Sequence, residues 1–264
     1  MNDATGLVER WAQLLDDAAT GRKPVAGPTE LADVPLADAY AVQRAVVRRR
    51  LDRGDRIAGF KLGFTSVAKM RQMGVHDLIH GWLTEGMRVA DGGTADTAAL
   101  LHPRIEPEVA FLLGAPLGAG ADNSDPLGAV AGVAPAVEII DSRYAGFSFT
   151  LAEVVADNAS SAGFAVGAWR PAAGVVLDNL GVLLEVDGRV AQTGTTAAIL
   201  GHPLRSLAAA ARLAAQAGTT LPAGSVILAG AATAAVPLLP GHHVRASIEG
   251  LGAVEVTAAA EVMG

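Results

Sequence analysis

Arg104-Ile-Glu-Pro-Glu-Val-Ala-Phe111 and Pro135-Ala-Val-Glu-Ile-Ile-Asp141 set three carboxylates among apolar neighbours. Alternate residues of a strand share a face, so Glu106 and Glu108 point together while Ile105, Pro107, Val109 and Phe111 point the other way. Glu138 lies inside an apolar run, where an unpaired carboxylate costs several kcal/mol unless a cation or hydrogen bonds compensate it. Three oxygen ligands suit Mg2+ or Mn2+, with positions left open for water or a chelating substrate. The competing reading is an edge strand whose two glutamates face solvent, with Glu138 paired to Arg104 or Arg143.

Outward from these segments the sequence reads as short apolar runs punctuated by Gly, Pro and Asp. Ile57-Ala-Gly-Phe-Lys-Leu-Gly-Phe64 is strand-like and holds Lys61 between Phe60 and Leu62. A lysine in such a strand must find an anion, either a structural carboxylate or a substrate's. Val182–Val186 and Arg189–Ala191 flank Asp187-Gly188, a pair that tolerates the positive φ angles of a tight hairpin turn. Further strands fit Ser225–Leu228, His243–Ile248 and Ala253–Val256. Helices interrupt them: Thr150-Leu-Ala-Glu153 is a capping box, and Pro203–Gln216 is rich in Ala and Leu. Nearer the start, Leu7, Trp11, Leu14, Leu15 and Ala18 fall at helical spacing, and a second helix is expected from about Leu36 to Arg53, with Gly54 just beyond it. The order is β-dominated with inserted helices and lacks the regular strand-helix alternation of a doubly wound fold.

The protein has 264 residues, enough for a full core, a net charge of -7 and no cysteine. Acidity argues against nucleic acid, whose affinity for proteins comes mainly from Lys and Arg contacts. Absence of cysteine excludes disulfides, thiolate nucleophiles and Cys-ligated zinc. Met1–Gly6 is not a basic region followed by an apolar stretch, so no export signal is expected and a cytoplasmic location is. Leu213–Gly241 carries no charge, but Pro222, Pro237 and Pro240 break it into pieces too irregular to cross a bilayer; buried strands and turns are expected.

Other motifs are weaker. Gly114-Ala-Pro-Leu-Gly-Ala-Gly120 lacks the lysine and the following helix of a phosphate loop. His76 and His80 do not form a His-Glu-x-x-His pattern, and Ser160 and Ser161 lack the serine-hydrolase elbow. Asp157-Asn-Ala-Ser-Ser161 gathers short polar side chains near a helix end, where they either bind an anion or satisfy their own backbone.

These segments together are similar to the 2-keto-4-pentenoate hydratase and 4-oxalocrotonate decarboxylase branch of the fumarylacetoacetate hydrolase superfamily, over roughly residues 36 to 258. The motifs that carry the resemblance are Gly59–Ser66, Lys69–Val75, His102–Phe111, Pro135–Tyr144, Val155–Ser161 and Ile199–Pro203. It implies an α+β fold: a mixed, rolled β-structure over residues 57–264 behind a small helical region, residues 1–56. It also implies Glu106, Glu108 and Glu138 as ligands of Mg2+ or Mn2+, with Lys61 and Ser161 lining the pocket. Ala68–Val75, Ile79-His-Gly-Trp-Leu83 and Asp141–Phe147 look closer to decarboxylases; hydratases tend to carry Asp where Ile79 stands. Departures from the family pattern at Ala229–Thr233, His242 and Thr195-Thr196 bear on the substrate more than on the metal site.

The expected reaction is metal-dependent loss of CO2 from 4-oxalocrotonate or a close 2-oxo diacid, giving 2-hydroxypenta-2,4-dienoate. The substrate would chelate the metal through its 1-carboxylate and 2-oxygen, and the metal would supply an electron sink. Lys61 is expected to stabilise the enolate side or steer a carboxylate, Ser161 to hydrogen-bond substrate, and Arg104 or Arg143 to orient the metal carboxylates or the distal acid. Ile79, His80, Arg143, Asn158 and Ser160 are the expected substrate contacts. The alternatives are a hydratase of 2-hydroxypenta-2,4-dienoate, a C-C hydrolase, and a non-catalytic partner subunit. The expected partners are a small 2-oxo acid, further copies of the same protein and a cognate hydratase, without nucleic acid or membrane.

Overall fold

The computed structural model describes residues 2–27, 29–66, 70 and 77–260. Helix α1, Asn2–Gly21, packs on α2, Leu36–Asp52, through Trp11, Leu15, Ala39 and Val42, all buried. Asp16 near the end of α1 takes two hydrogen bonds from Arg53, just past α2, at 2.7 and 2.8 Å.

The main sheet joins β1 (Ile57–Gly63), β2 (Ile79–Thr84), β3 (Arg88–Val89), β5 (Arg104–Leu113), β7 (Val130–Ile140), β8 (Ser161–Val166) and β13 (Val226–Ala231) in the order β2-β1-β13-β5-β7-β8-β3, with short β9 (Arg170–Pro171) and β14 (Val236–Pro237) beside it. Its pairings mix parallel (β1 with β13, β3 with β8) and antiparallel. A second sheet is built from β4 (Gly93–Ala95), β10 (Gly181–Val186), β11 (Arg189–Thr195), β15 (His243–Ile248) and β16 (Gly252–Ala258), in the order β11-β10-β15-β16-β4. The hairpin between β10 and β11 turns at Asp187 and Gly188, with φ of 51° and 72°. In sequence, α3 (Leu151–Ala156) lies between β7 and β8, and its Thr150 and Glu153 form the expected capping box; Glu153 also accepts from Thr29, tying the helix to the N-terminal connector. Helix α4, Pro203–Gln216, opens on His202 as cap. The uncharged Leu213–Gly241 supplies the end of α4, then β12 (Thr220–Leu221), β13 and β14; β12 pairs with β6 (Leu117–Gly118) inside the glycine-rich loop. Among the described residues no helix is long and apolar enough to cross a membrane.

One face of the main sheet is continuously apolar. Ile105, Val137 and Ile139 pack on Leu184, Val244, Val254 and Val256 of the second sheet. Val109, Phe111 and Val133 of that face meet α4 through Leu207, Ala210 and Ala214. The opposite face is lined by Ala58, Leu83, Ala110, Ala136, Phe164, Val226 and Leu228, and carries the charged groups. The expected mixed α+β architecture with helices at the N-terminus is the one observed.

Candidate metal centre and its cavity

β5 is a central strand, paired with β13 on one side and β7 on the other. The edge-strand reading is therefore excluded: Glu106, Glu108 and Glu138 are all buried. Glu106 stands opposite Glu138 in the β5–β7 register, and Glu108 follows two residues on, so all three project from one face. A ligand oxygen from each lies within 4.8 Å of the others.

The neighbouring strand is bent to serve this cluster. Between Leu228 and Ala231 the register of β13 against β5 shifts, opposite the stretch from Ala110 to Glu108. Gly230 sits there with φ of 104°, and its N–H turns to Oε2 of Glu108 at 2.6 Å. A β-carbon on Gly230 would fall 2.2 Å from Oγ1 of Thr65, so only glycine passes.

Lys61, buried on β1, supplies the ammonium of the cluster. Its Nζ lies 3.1 Å from Oε2 of Glu138, an ion pair without hydrogen-bond alignment, and donates to the carbonyl of Ala159 at 3.0 Å. Glu138 is thus paired with Lys61 and with neither Arg104 nor Arg143. One ammonium against three carboxylates leaves a formal charge of about -2 on buried side chains, which would be unstable if fully ionised. Burial raises Glu108 well above the ordinary carboxylate range, with Glu138 and Glu106 adding repulsion. Burial likewise pushes Glu138 to about 7, against the pull of Lys61. For Lys61, burial alone would lower the pKa, but Glu138, Glu106 and Glu108 outweigh it and leave the ammonium firmly charged. Oε1 of Glu108 and Oε1 of Glu138 are buried without hydrogen-bond partners, while Oε2 of Glu138 faces the Lys61 ammonium. Orphaned carboxylate oxygens, converging and short of positive charge, fit a hard divalent cation.

The cluster opens into a cavity of about 870 Å³, lined among others by Lys61, Ile79, Arg104, Glu106, Phe147 and Ser160. Arg104 is exposed at its rim, its guanidinium 4.6 Å above the ring of Phe147. Ser160 reaches the cavity with a hydroxyl that is buried and has no partner. Ser161, by contrast, is not in the lining: its hydroxyl lies 3.8 Å from the sulfur of Met87. Three further expected contacts sit behind the wall. His80 is stacked between Tyr40 and Phe60 at 4.4 and 4.6 Å, and burial, helped by Arg44, lowers its pKa to about 4. Arg143 is engaged by the carboxylate of Asp157. Asn158 bonds the backbone of Trp82, accepting its N–H at 2.8 Å and donating to its C=O at 2.9 Å. The Lys69–Val75 motif and His76 lie, Met70 apart, outside the described residues.

Asn158, Ala159 and Ser160 have φ of 52°, 53° and 58°, three successive non-glycine residues in the left-handed region. Each costs about 1–3 kcal/mol unless its surroundings enforce it. Sequence reading missed this turn, the role of Gly230 and the contact of Ala159 with Lys61. A glycine inside an apolar strand was the only local signal for any of them.

Comparison with known proteins follows the same lines. The Fumarylacetoacetate (FAA) hydrolase C-terminal family model matches residues 87–259. A 4-oxalocrotonate decarboxylase of Pseudomonas sp. is 51% identical over 96% of this chain and 99% of its own length. A 2-keto-4-pentenoate hydratase of Paraburkholderia xenovorans (strain LB400) is 36% identical over 93% of each. Among solved structures, 4-oxalocrotonate decarboxylase from Pseudomonas putida G7, complexed with magnesium and adipate, superposes with a TM-score of 0.91 at 41% identity, covering 96% of this chain and 98% of that one.

Proposed function

The protein belongs to the fumarylacetoacetate hydrolase family, and on that premise we propose that it decarboxylates 4-oxalocrotonate, or a close 2-oxo diacid, to 2-hydroxypenta-2,4-dienoate and CO2 with Mg2+ or Mn2+ bound. The observation that carries the reading is the buried trio Glu106, Glu108 and Glu138, in a protein 51% identical to a decarboxylase over 96% of its length. A divalent cation on these carboxylates would supply chelation of the 1-carboxylate and 2-oxygen and a sink for the electrons released with CO2.

The protein's own residues do the rest. Lys61, fixed between Glu138 and the Ala159 carbonyl, holds a positive charge beside the 2-oxygen, where negative charge develops. Ser160, whose hydroxyl has no partner within the protein, hydrogen-bonds the substrate. Arg104 at the rim meets the carboxylate at the far end. Ile79 makes that part of the wall apolar, so no acid stands there to hydrate the product. Ser161, His80, Asn158 and Arg143 act behind the wall as supports. The same reading carries a homo-oligomer in the cytoplasm, associated with a cognate hydratase that consumes the dienoate, and a division into a helical region, residues 1–56, and a catalytic domain, residues 57–264.

Purified protein with Mg2+ is expected to release CO2 from 4-oxalocrotonate. Water addition to 2-hydroxypenta-2,4-dienoate without CO2 release would replace this reading by the hydratase. Glu106→Gln or Glu108→Gln variants that fold and keep full turnover would remove the metal role.

A further inference from the structure

Ala159 gives its carbonyl to Lys61, Ser160 gives its hydroxyl to the cavity, and both do so from a backbone conformation that neither residue prefers. Contacts at both ends of the turn enforce that conformation. The Asn158 side chain grips both backbone groups of Trp82 on β2, which anchors the first left-handed residue to the sheet. The N–H of Asp141 holds the carbonyl of Ser160 at 2.8 Å, anchoring the last. Gly81, opposite Lys61 in the β1–β2 register, supplies the clearance: a β-carbon there would lie 2.6 Å from the Asn158 carbonyl oxygen and 3.2 Å from Cδ of Lys61.

We propose that Asn158 is a positioning residue, whose amide clamp on Trp82 holds the left-handed turn Asn158–Ser160 so that the Ala159 carbonyl aims the Lys61 ammonium and Ser160 presents its hydroxyl to the substrate. Gly81 is the second half of the device, since it lets the turn approach β2 closely. Asn158 touches neither the carboxylate trio nor the cavity; it works through Lys61 and Ser160 alone. Aspartate in its place keeps the acceptor for the Trp82 N–H but sets a carboxylate oxygen against the Trp82 carbonyl, so the clamp needs the amide.

The inference rests on the decarboxylase reading for its rate measurement only. The test is a mutant cycle in Mg2+-loaded protein with Asn158→Ala, the Lys61→Met/Ser160→Ala pair and their combination, reading kcat and KM for CO2 release, Mg2+ affinity, and the Kd of 2-oxoadipate, which lacks the conjugated double bond that decarboxylation uses. Misplacement of reacting groups by about 1 Å costs on the order of 100-fold in rate, so Asn158→Ala is expected to lower kcat by about that factor with Mg2+ affinity preserved. In the Lys61→Met/Ser160→Ala background the same substitution should cost far less, because both groups it positions have gone. Losses that multiply in full, or a fall in Mg2+ affinity matching the fall in kcat, would overturn the proposal. Should Asn158→Ala fail to fold, Asn158→Asp, which keeps the acceptor for the Trp82 N–H and loses the donor to the Trp82 carbonyl, is read by the same cycle. Wild-type protein that releases no CO2 defeats the decarboxylase reading; the cycle is then read in 2-oxoadipate binding, where non-additivity supports the clamp and additivity refutes it.

Discussion

Loading the site with Mg2+ should expel protons, and the number expelled is set by how the protein tolerates three buried carboxylates beside one ammonium. Glu138 titrates at about 7 and Glu108 well above the ordinary range, in both cases chiefly because of burial. A protonated carboxyl is no ligand, so below the pKa of each group the apparent affinity for the ion falls about tenfold per pH unit. From pH 8 to pH 6, Glu138 alone should weaken Mg2+ binding about tenfold, or about 1.4 kcal/mol, and Glu108 adds to this. Titration calorimetry in buffers of different ionisation enthalpy counts the protons directly; about one to two per ion is expected at pH 6. The same linkage acts on folding. In the metal-free protein Glu138 has a folded pKa above its unfolded value, so the unfolded state releases its proton first and stability declines as pH rises from about 4.5 through 7. The shift from 4.5 to about 7 corresponds to about 3 kcal/mol. Bound Mg2+ favours the ionised trio, so the rise in Tm on adding the ion should grow between pH 6 and pH 8. Tight Mg2+ binding with no proton release at pH 6 would refute the reasoning, because it would mean the trio is already ionised without its cation.

Lys61→Met removes the partner of Glu138 and should cost about 3 kcal/mol or more of metal-free stability at pH 8, and less at pH 6 where Glu138 takes up a proton; urea unfolding at the two pH values checks this. His80 stays neutral in the fold to about pH 4 but protonates near 6.5 when unfolded, so stability should fall from about pH 6.5 downward, by about 3 kcal/mol in full; His80→Phe, which keeps the stack, should flatten that limb of the pH-stability curve. Ile79→Asp places a new carboxylate on the wall that faces a dianionic substrate and should raise KM for the diacid about tenfold or more; an unchanged KM would mean the distal acid does not pass that wall.

Much of this arrangement was legible in the sequence. Alternation alone placed Glu106 and Glu108 on one face, the apolar surroundings of Glu138 marked it as needing a cation, and Lys61 announced itself by standing between Phe60 and Leu62. Helical spacing, the capping box at Thr150 and Glu153, and the Asp187-Gly188 turn gave elements that the fold contains. Pairing was not legible, because which strands flank β5 depends on segments far away in sequence. Hence an edge position, with Glu138 held by an arginine, could compete with a central strand and a lysine from β1 until the pairing was known.

The groups that aim the charges were less visible than the charges, and for a physical reason. A buried carboxylate or ammonium violates the apolar pattern around it, so it stands out in a sequence. The groups that direct Glu108 and Lys61 are the backbone N–H of Gly230 and the backbone carbonyl of Ala159, of kinds that every sequence possesses and none displays. Their orientation comes from φ angles imposed by distant contacts: the clearance at Gly230 beside Thr65, and the clamp of Asn158 on Trp82. The two serines of the Asn158–Ser161 stretch differ by one position and by nothing in chemistry, yet the left-handed turn sends Ser160 to the cavity and leaves Ser161 beside Met87. A residue's type states what chemistry it can perform. Whether it meets the substrate is decided, at this site, by backbone geometry that three unfavourable φ angles define and distant contacts hold in place.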